Sequence, residues 1–185
     1  MKKNKKKMEK KIKVTDEKKV YSGNISLRVD KFKLNKKIIE KEVVEHLPSI
    51  GLIPIIDSDD ILLVTQYRHA AGKIVLEIPA GKIEKGETPE QAALREMREE
   101  VGYTGELSQI LQWYLAPGYS TELMYIFIVT NLKKIKRGNL DEDENIVIKR
   151  MKLNKALEKC INGEIEDCKT IAALLAYAKI SEFDR

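Results

Sequence analysis

Short extended stretches alternate along this chain with three segments whose apolar positions recur at helical spacing. Lys18–Lys33 (KKVYSGNISLRVDKFK) mixes β-branched and aromatic residues with turn formers, and reads as one or two strands around Ser22-Gly23-Asn24. Lys37–Glu45 is a further extended stretch, closed by His46-Leu47-Pro48. Ser49–Ile56 (SIGLIPII) is mostly apolar and suits a buried strand, with Pro54 pushing part of it toward an edge or a bulge. Asp57–Asp60 then turns the chain, and Ile61–Tyr67 (ILLVTQY) pairs back as the next strand. The carboxylates of that turn read as a solvated hairpin loop. Leu107–Leu115, the strongly apolar Leu123–Leu132 and the short Ile146–Met151 are the remaining strands.

The first helical segment follows Val75–Gly81 and a polar loop. Thr88 stands as N-cap, Pro89 suits the first helical position, and Gln91 completes a capping box. Gly102 is placed to end the helix, since glycine enters the left-handed conformation without steric penalty. Leu94, Met97 and Val101 recur at helical spacing and are expected to face the core. Two more helices, Asn154–Ile161 and Asp167–Ile180, flank Asn162-Gly163. In the second of them Ile171, Leu174, Leu175 and Ala178 form an apolar stripe for packing on the sheet.

With 185 residues, the chain suits one domain or one domain with a small appendage. No apolar run approaches 18 residues, so no membrane partner is expected. The lysine-rich start lacks a following apolar segment and is not a secretory signal; a cytoplasmic location is expected. Of the net charge of +5, residues 1–13 carry +7 and the remainder −2, so the basic character belongs to a tail. That tail, residues 1–14, reads as a disordered solubilising arm, and no aromatic side chain is interleaved to stack on bases. A nucleic-acid partner is therefore not expected. Cys160 and Cys168 lack metal-ligand spacing and read as reduced thiols.

The chemistry concentrates in the first helix. Glu96 and Glu100 are four positions apart and Glu99 three from Glu96, which crowds three carboxylates on one side. Hard divalent cations prefer such oxygen ligands, and Mg²⁺ commonly pairs a few carboxylates with substrate phosphates. A solvated acidic face neutralised by Arg95 and Arg98 is the plain alternative. Arg68, at the exit of Gln66-Tyr67-Arg68, carries a planar fork that suits phosphate, though a surface arginine would look the same. Pro117-Gly118 rigidifies a turn able to wall a pocket. The acidic stretch Asn139–Asn145 (NLDEDEN) reads by itself as a solvated loop. His46 and His69, the two histidines, have no paired nucleophile pattern and are not read as catalytic.

The spacing of these residues resembles a known family. Gly81, Glu87 and Arg95-Glu96-Met97-Arg98-Glu99-Glu100-Val101-Gly102-Tyr103 match the signature of the Nudix hydrolases, with Met97 and Tyr103 where aliphatic residues are usual. Glu42-Val43-Val44-Glu45-His46, Glu77-x-Pro79-Ala80-Gly81 and Pro117, fifteen positions after Gly102, are similar to the ADP-ribose-cleaving branch. Lys41 departs from the arginine common at that place. The resemblance implies an α/β fold, the Nudix α/β/α sandwich with a mixed sheet over residues 48–185. A small antiparallel N-terminal sheet at 15–47 would precede it and commonly builds a homodimer.

The resemblance further implies a reaction and a site. Water would cleave ADP-ribose, or a related nucleoside diphosphate sugar, to AMP and ribose 5-phosphate. Mg²⁺, or Mn²⁺, would sit on Glu96, Glu99, Glu100 and the Ala80 carbonyl. Glu144 from the acidic loop would be the base, with Glu142 as the alternate, and Glu99 counts among the catalytic set. Arg68, Gln66, Lys41, Glu42, Pro117 and Gly118 would contact substrate, with Tyr21 a candidate for stacking on adenine. Gly81, Glu87, Arg95 and Gly102 would hold the loop and helix together. Two other readings stay open: another nucleotide-sugar such as GDP-mannose, and a non-catalytic module binding nucleotide or RNA.

Overall fold

The computed structural model describes residues 13–57, 59–138 and 145–183. The chain divides into two compact units, one of residues up to Pro48 with Tyr114–Leu123, the other of Ser49–Trp113 with Met124 onward.

The first unit is an antiparallel meander of β1 (Lys13–Ser22), β2 (Ser26–Leu34) and β3 (Lys37–Glu45). The strands around Ser22-Gly23-Asn24 are two, and β1 starts at Lys13, inside the stretch read as tail. Leu34 pairs with Lys37, and Asn35 and Lys36 between them take φ of 49° and 73°, the geometry of a tight type I′ hairpin. Arg28 on β2 ties the sheet together, reaching Asp30 at 2.8 Å and Glu45 at 2.5 Å. The Pro117-Gly118 turn belongs here too. Val44 N–H donates to the Tyr119 carbonyl at 2.7 Å and Thr121 N–H to the Val44 carbonyl at 3.0 Å, so the turn is laced to the end of β3.

The second unit holds the mixed sheet. Its four strands run in the order β7 (Ala80–Lys82), β4 (Ser49–Pro54), β9 (Leu123–Lys134) and β8 (Tyr103–Tyr114). Strand β4 lies parallel to β9 and antiparallel to β7. All six residues of β4 are buried, in keeping with a sequence that is apolar throughout after Ser49 rather than alternating. Pro54 is tolerated there for a reason of parity. Leu52 N–H points to one side, bonding the Pro79 carbonyl, while Ile55 N–H points to the other, bonding Val129. The donor that Pro54 lacks would thus face the β7 side, beyond the last β7 pair at Gly51 and Ala80.

A second, antiparallel sheet orders β10 (Val147–Lys152), β5 (Asp60–Arg68) and β6 (Lys73–Glu77), the last two joined by a 3₁₀ turn at His69–Ala71. Three α-helices among the described residues complete the unit: α1 (Pro89–Glu96), α2 (Leu153–Ile161) and α3 (Cys168–Phe183). Helix α1 packs on β4 and β7, and α3 packs on β4 and α2, giving the α/β/α layering expected.

The main apolar cluster joins Ile50 and Leu52 of β4, Phe127 and Val129 of β9, and Ala92, Ala93, Met97 and Val101 of the first helix. Leu94 corrects the sequence expectation: it is 40 % exposed, because the buried stripe runs through Ala92, Ala93, Met97 and Val101 instead. The stripe of α3 is displaced as well. Thr170, Ala173 and Leu174 are buried, whereas Leu175 is 38 % exposed.

Candidate functional site

The helix start forms as its letters suggest. Thr88 N–H donates to the Gln91 side chain at 2.8 Å, and Gln91 N–H returns a bond to Thr88 Oγ1 at 3.3 Å. The helix then departs from a plain α-helix. From Met97 to Val101 it widens into a single π-helical turn, closed by Gly102 at φ 75°. Such turns are rare and concentrate at functional sites. This one carries Glu99 and Glu100, so the widening sets where both carboxylates emerge.

Glu96 and Glu100 both meet the strand-like segment at Ala80-Gly81. Glu100, 2 % exposed, accepts the Ala80 N–H at 3.0 Å. Glu96 lies over Gly81, where a Cβ would come 1.7 Å from its Oε1 and 2.0 Å from its Cδ. Glycine at 81 is therefore required by the carboxylate and not by a turn. Glu99 is met by Gly138, whose added Cβ would come 2.7 Å from the Glu99 Cγ, and its carbonyl accepts Arg137 Nε at 2.9 Å.

Arg95 binds the loop to the helix. Its Nε reaches Glu87 at 2.8 Å, its Nη2 the Lys82 carbonyl at 2.8 Å, and its Nη1 both Glu96 at 2.7 Å and Glu99 at 3.1 Å. The Glu87 hydrogen bond, with Glu96 and Glu99 behind it, holds the Arg95 guanidinium firmly charged. In return Arg95 keeps the Glu87 carboxyl below its ordinary range. Arg95 thus supplies positive charge between two of the three carboxylates. Among the described residues no three acidic, histidine or cysteine side chains stand together at metal-ligand spacing. The donors nevertheless fit a hard divalent cation: oxygen only, carried on one turn, and folded against the backbone of residues 80–81.

A cleft of about 370 Å³ is lined by Arg68, Lys73, Val75, Glu77 and Lys169 among others. Arg68 grips Glu77 with two bonds, Nε to Oε1 at 2.7 Å and Nη2 to Oε2 at 2.6 Å. Lys169 reaches the same carboxylate from α3 and also meets Asp167 at 3.0 Å. Burial by itself would raise the pKa of Glu77, which is 2 % exposed, but Arg68 and Lys169 outweigh it and the net shift is downward. Gln66 is buried on β5, its backbone paired with Val75.

The remaining expected substrate residues lie in the first unit. Lys41 and Glu42 are exposed on β3, opposite Asp30 and Val29. Tyr21 is 60 % exposed on β1, and its ring lies against Gly23. Pro117 and Gly118 occupy a turn closed by Tyr119 N–H on the Ala116 carbonyl at 3.1 Å. Glu142 and Glu144 fall outside the described residues. Sequence reasoning passed over Lys169 and Thr170, both buried in the first turn of α3. Their signal was faint: two polar residues where an apolar helix begins.

The NUDIX domain model matches residues 45–173. The ADP-ribose pyrophosphatase of Bacillus subtilis is 36% identical over 88% of this chain and 90% of its own length. A methanol dehydrogenase activator of Bacillus methanolicus is 35% identical over the same shares. The GDP-mannose pyrophosphatase of an Enterobacter species is 33% identical over 68% of this chain and 69% of its own. A solved structure described as an ADP compounds hydrolase superposes with a TM-score of 0.84 at 20% identity, covering 94% of this chain and 96% of that one.

Proposed function

The chain belongs to the Nudix hydrolase family, and from that premise we propose that it hydrolyses the diphosphate of ADP-ribose to AMP and ribose 5-phosphate. Water adds at one phosphorus, the bridging P–O bond breaks, and its electron pair leaves on the departing phosphate. The observation that carries the chemistry is the folding of Glu96 and Glu100 onto Gly81 and Ala80, with Glu99 beside Glu100 on the π turn. The similarity to an ADP-ribose pyrophosphatase over most of both chains carries the choice of substrate.

Glu96, Glu99, Glu100 and the Ala80 carbonyl would hold Mg²⁺ or Mn²⁺. Such an ion neutralises diphosphate charge and lowers the pKa of bound water. The protein's own task is placement. Arg95 and Glu87 hold the loop against the helix, and Gly102 ends the π turn. Arg68 is our diphosphate contact: it lines the cleft, with its Nε and Nη2 engaged by Glu77. Gln66, Lys41, Glu42, Pro117, Gly118 and Tyr21 are our further substrate contacts. Glu144 is our base, with Glu142 the alternate.

The exposed Val14, Val20, Tyr21 and Ile38 of the N-terminal sheet support reading that sheet as a dimer surface. A cytoplasmic location is part of the same reading; no helix among the described residues is long and apolar enough to cross a membrane. GDP-mannose is the second reading, on the similarity to GDP-mannose pyrophosphatases.

A hydrolysis panel with Mg²⁺ tests the proposal: ADP-ribose, GDP-mannose, NADH, ADP-glucose and diadenosine polyphosphates, scored by product. Preferential release of AMP and ribose 5-phosphate from ADP-ribose supports it. Preference for GDP-mannose replaces the substrate and keeps the chemistry, and no turnover alongside nucleotide binding overturns the enzyme reading.

A further inference from the structure

Four consecutive residues, Glu77 to Ala80, are each pinned from elsewhere in the fold. The Glu77 carboxylate is held by Arg68 of β5 and Lys169 of α3. Ile78 N–H donates to Thr170 Oγ1 of α3 at 2.8 Å. The Pro79 carbonyl accepts Leu52 N–H of β4 at 2.9 Å, and Ala80 N–H donates to Glu100 at 3.0 Å. Strand pairing accounts for none of these side-chain bonds. Two of the anchors come from the same helical turn.

That turn is itself stiffened. Asp167 accepts both the Thr170 N–H at 2.9 Å and the Thr170 hydroxyl at 2.5 Å, the arrangement of an N-cap. The hydroxyl proton is thereby committed to Asp167, so the Thr170 oxygen faces Ile78 as an acceptor. Thr170 is fully buried and Lys169 is 8 % exposed, so both bonds form away from bulk water, where losing a partner is costly. Placing a lysine and a threonine at the start of an apolar helix is wasteful for packing alone. An isosteric valine would fill the same volume without needing two partners.

We propose that Thr170, seconded by Lys169, is a positioning residue for the oxygen-ligand array, setting the Glu77–Ala80 segment at the distance from Glu100 that lets residue 80 and the π turn bind one divalent cation. The proposal rests on the Nudix reading for the identity of the array. Its mechanism is steric and electrostatic: with the Ile78 N–H unheld, the segment between Glu77 and Ala80 gains freedom, and the Ala80 backbone no longer meets Glu100 in one geometry. Groups that orient metal ligands in this indirect way are worth roughly 10–100-fold in affinity or activity.

The test is Mn²⁺ binding by isothermal titration calorimetry on the full chain without substrate, for wild type, Thr170→Val, Thr170→Ser and Lys169→Met, each checked for folding by circular dichroism. Thr170→Val should weaken Mn²⁺ binding by about tenfold, and Thr170→Ser, which keeps both hydroxyl bonds, should restore it. Lys169→Met should weaken it less, since Arg68 still holds Glu77. With ADP-ribose, Thr170→Val should raise the half-saturating metal concentration while leaving KM at saturating metal within about twofold. Wild-type binding in both Thr170→Val and Lys169→Met overturns the proposal, as does equal weakening in the valine and serine variants. The titration stands apart from the substrate panel. A wild type that binds Mn²⁺ in this pattern and hydrolyses nothing would sink the proposed reaction and leave the positioning role.

Discussion

Glu96 lies so close over Gly81 that a β-carbon at residue 81 would sit 1.7 Å from its Oε1 and 2.6 Å from its Cγ. Bonded distances of that kind cannot be accommodated by a small adjustment, so a side chain at 81 must expel the carboxylate. The contact joins the last residue of α1 to β7, and it fixes one candidate ligand against the segment that presents another.

Gly81→Ala should therefore cost activity out of proportion to stability. Displacing Glu96 by an ångström or more should lower turnover by about a hundredfold. The test compares Mg²⁺-dependent hydrolysis with the thermal midpoint. A variant with normal rates would show that Glu96 need not lie where it does.

Glu100→Gln keeps an oxygen able to accept the Ala80 N–H, so the fold should persist while a charged oxygen ligand is lost. Turnover with Mg²⁺ is expected to fall at least about a hundredfold. Near-native circular dichroism with that loss is the expected result; a normal rate would remove Glu100 from the metal set.

The Glu87–Arg95 pair predicts a pH dependence of stability. Hydrogen bonding by Arg95 holds Glu87 below its ordinary value of 4.5. A carboxyl whose folded value is depressed contributes stability that is present above its unfolded value and is lost as pH falls through the folded one. Glu87→Gln should accordingly lower the melting temperature near pH 7, and the gap from wild type should close below pH 4.5. Melting curves across that window check it, and a gap independent of pH would mean the pair contributes through packing instead.

Gly102 closes the π turn at φ 75°, and nothing crowds it closer than the Arg137 Cβ at 3.5 Å from an added Cβ. Gly102→Ala should thus cost the conformational penalty alone, about 1 kcal/mol. For a chain of this size that is a drop of roughly 2–4 °C in Tm by calorimetry. A drop several times larger would mean the turn itself had rearranged.

Local features were legible before the fold was known. The capping box at Thr88 and Gln91, the end at Gly102, β3 at Lys37–Glu45 and the Glu87–Arg95 spacing involve residues within eight positions of one another, or one strand's own pattern. Leu94 departs from its expected place because helical period assigns a stripe but not its rotation, and the neighbours that decide it, Ile50 and Phe127, are far along the chain. The acidic stretch at 139–145 could be noted for its carboxylates, yet its candidates Glu142 and Glu144 lie outside the described residues.

The chain's letters by themselves determined the helix carrying three carboxylates, its start and its stop, and the strands that frame it, because propensity, capping and short-range pairing act between near neighbours. Only the tertiary structure decided that Gly81 yields to Glu96, that Pro54 lies within a buried strand, that Tyr114–Leu123 folds with the N-terminal sheet, and that Lys169 and Thr170 reach Glu77 and Ile78. Those relationships span from 15 to 92 positions, and which distant groups meet is settled by how the sheets and helices pack, something no local spacing encodes.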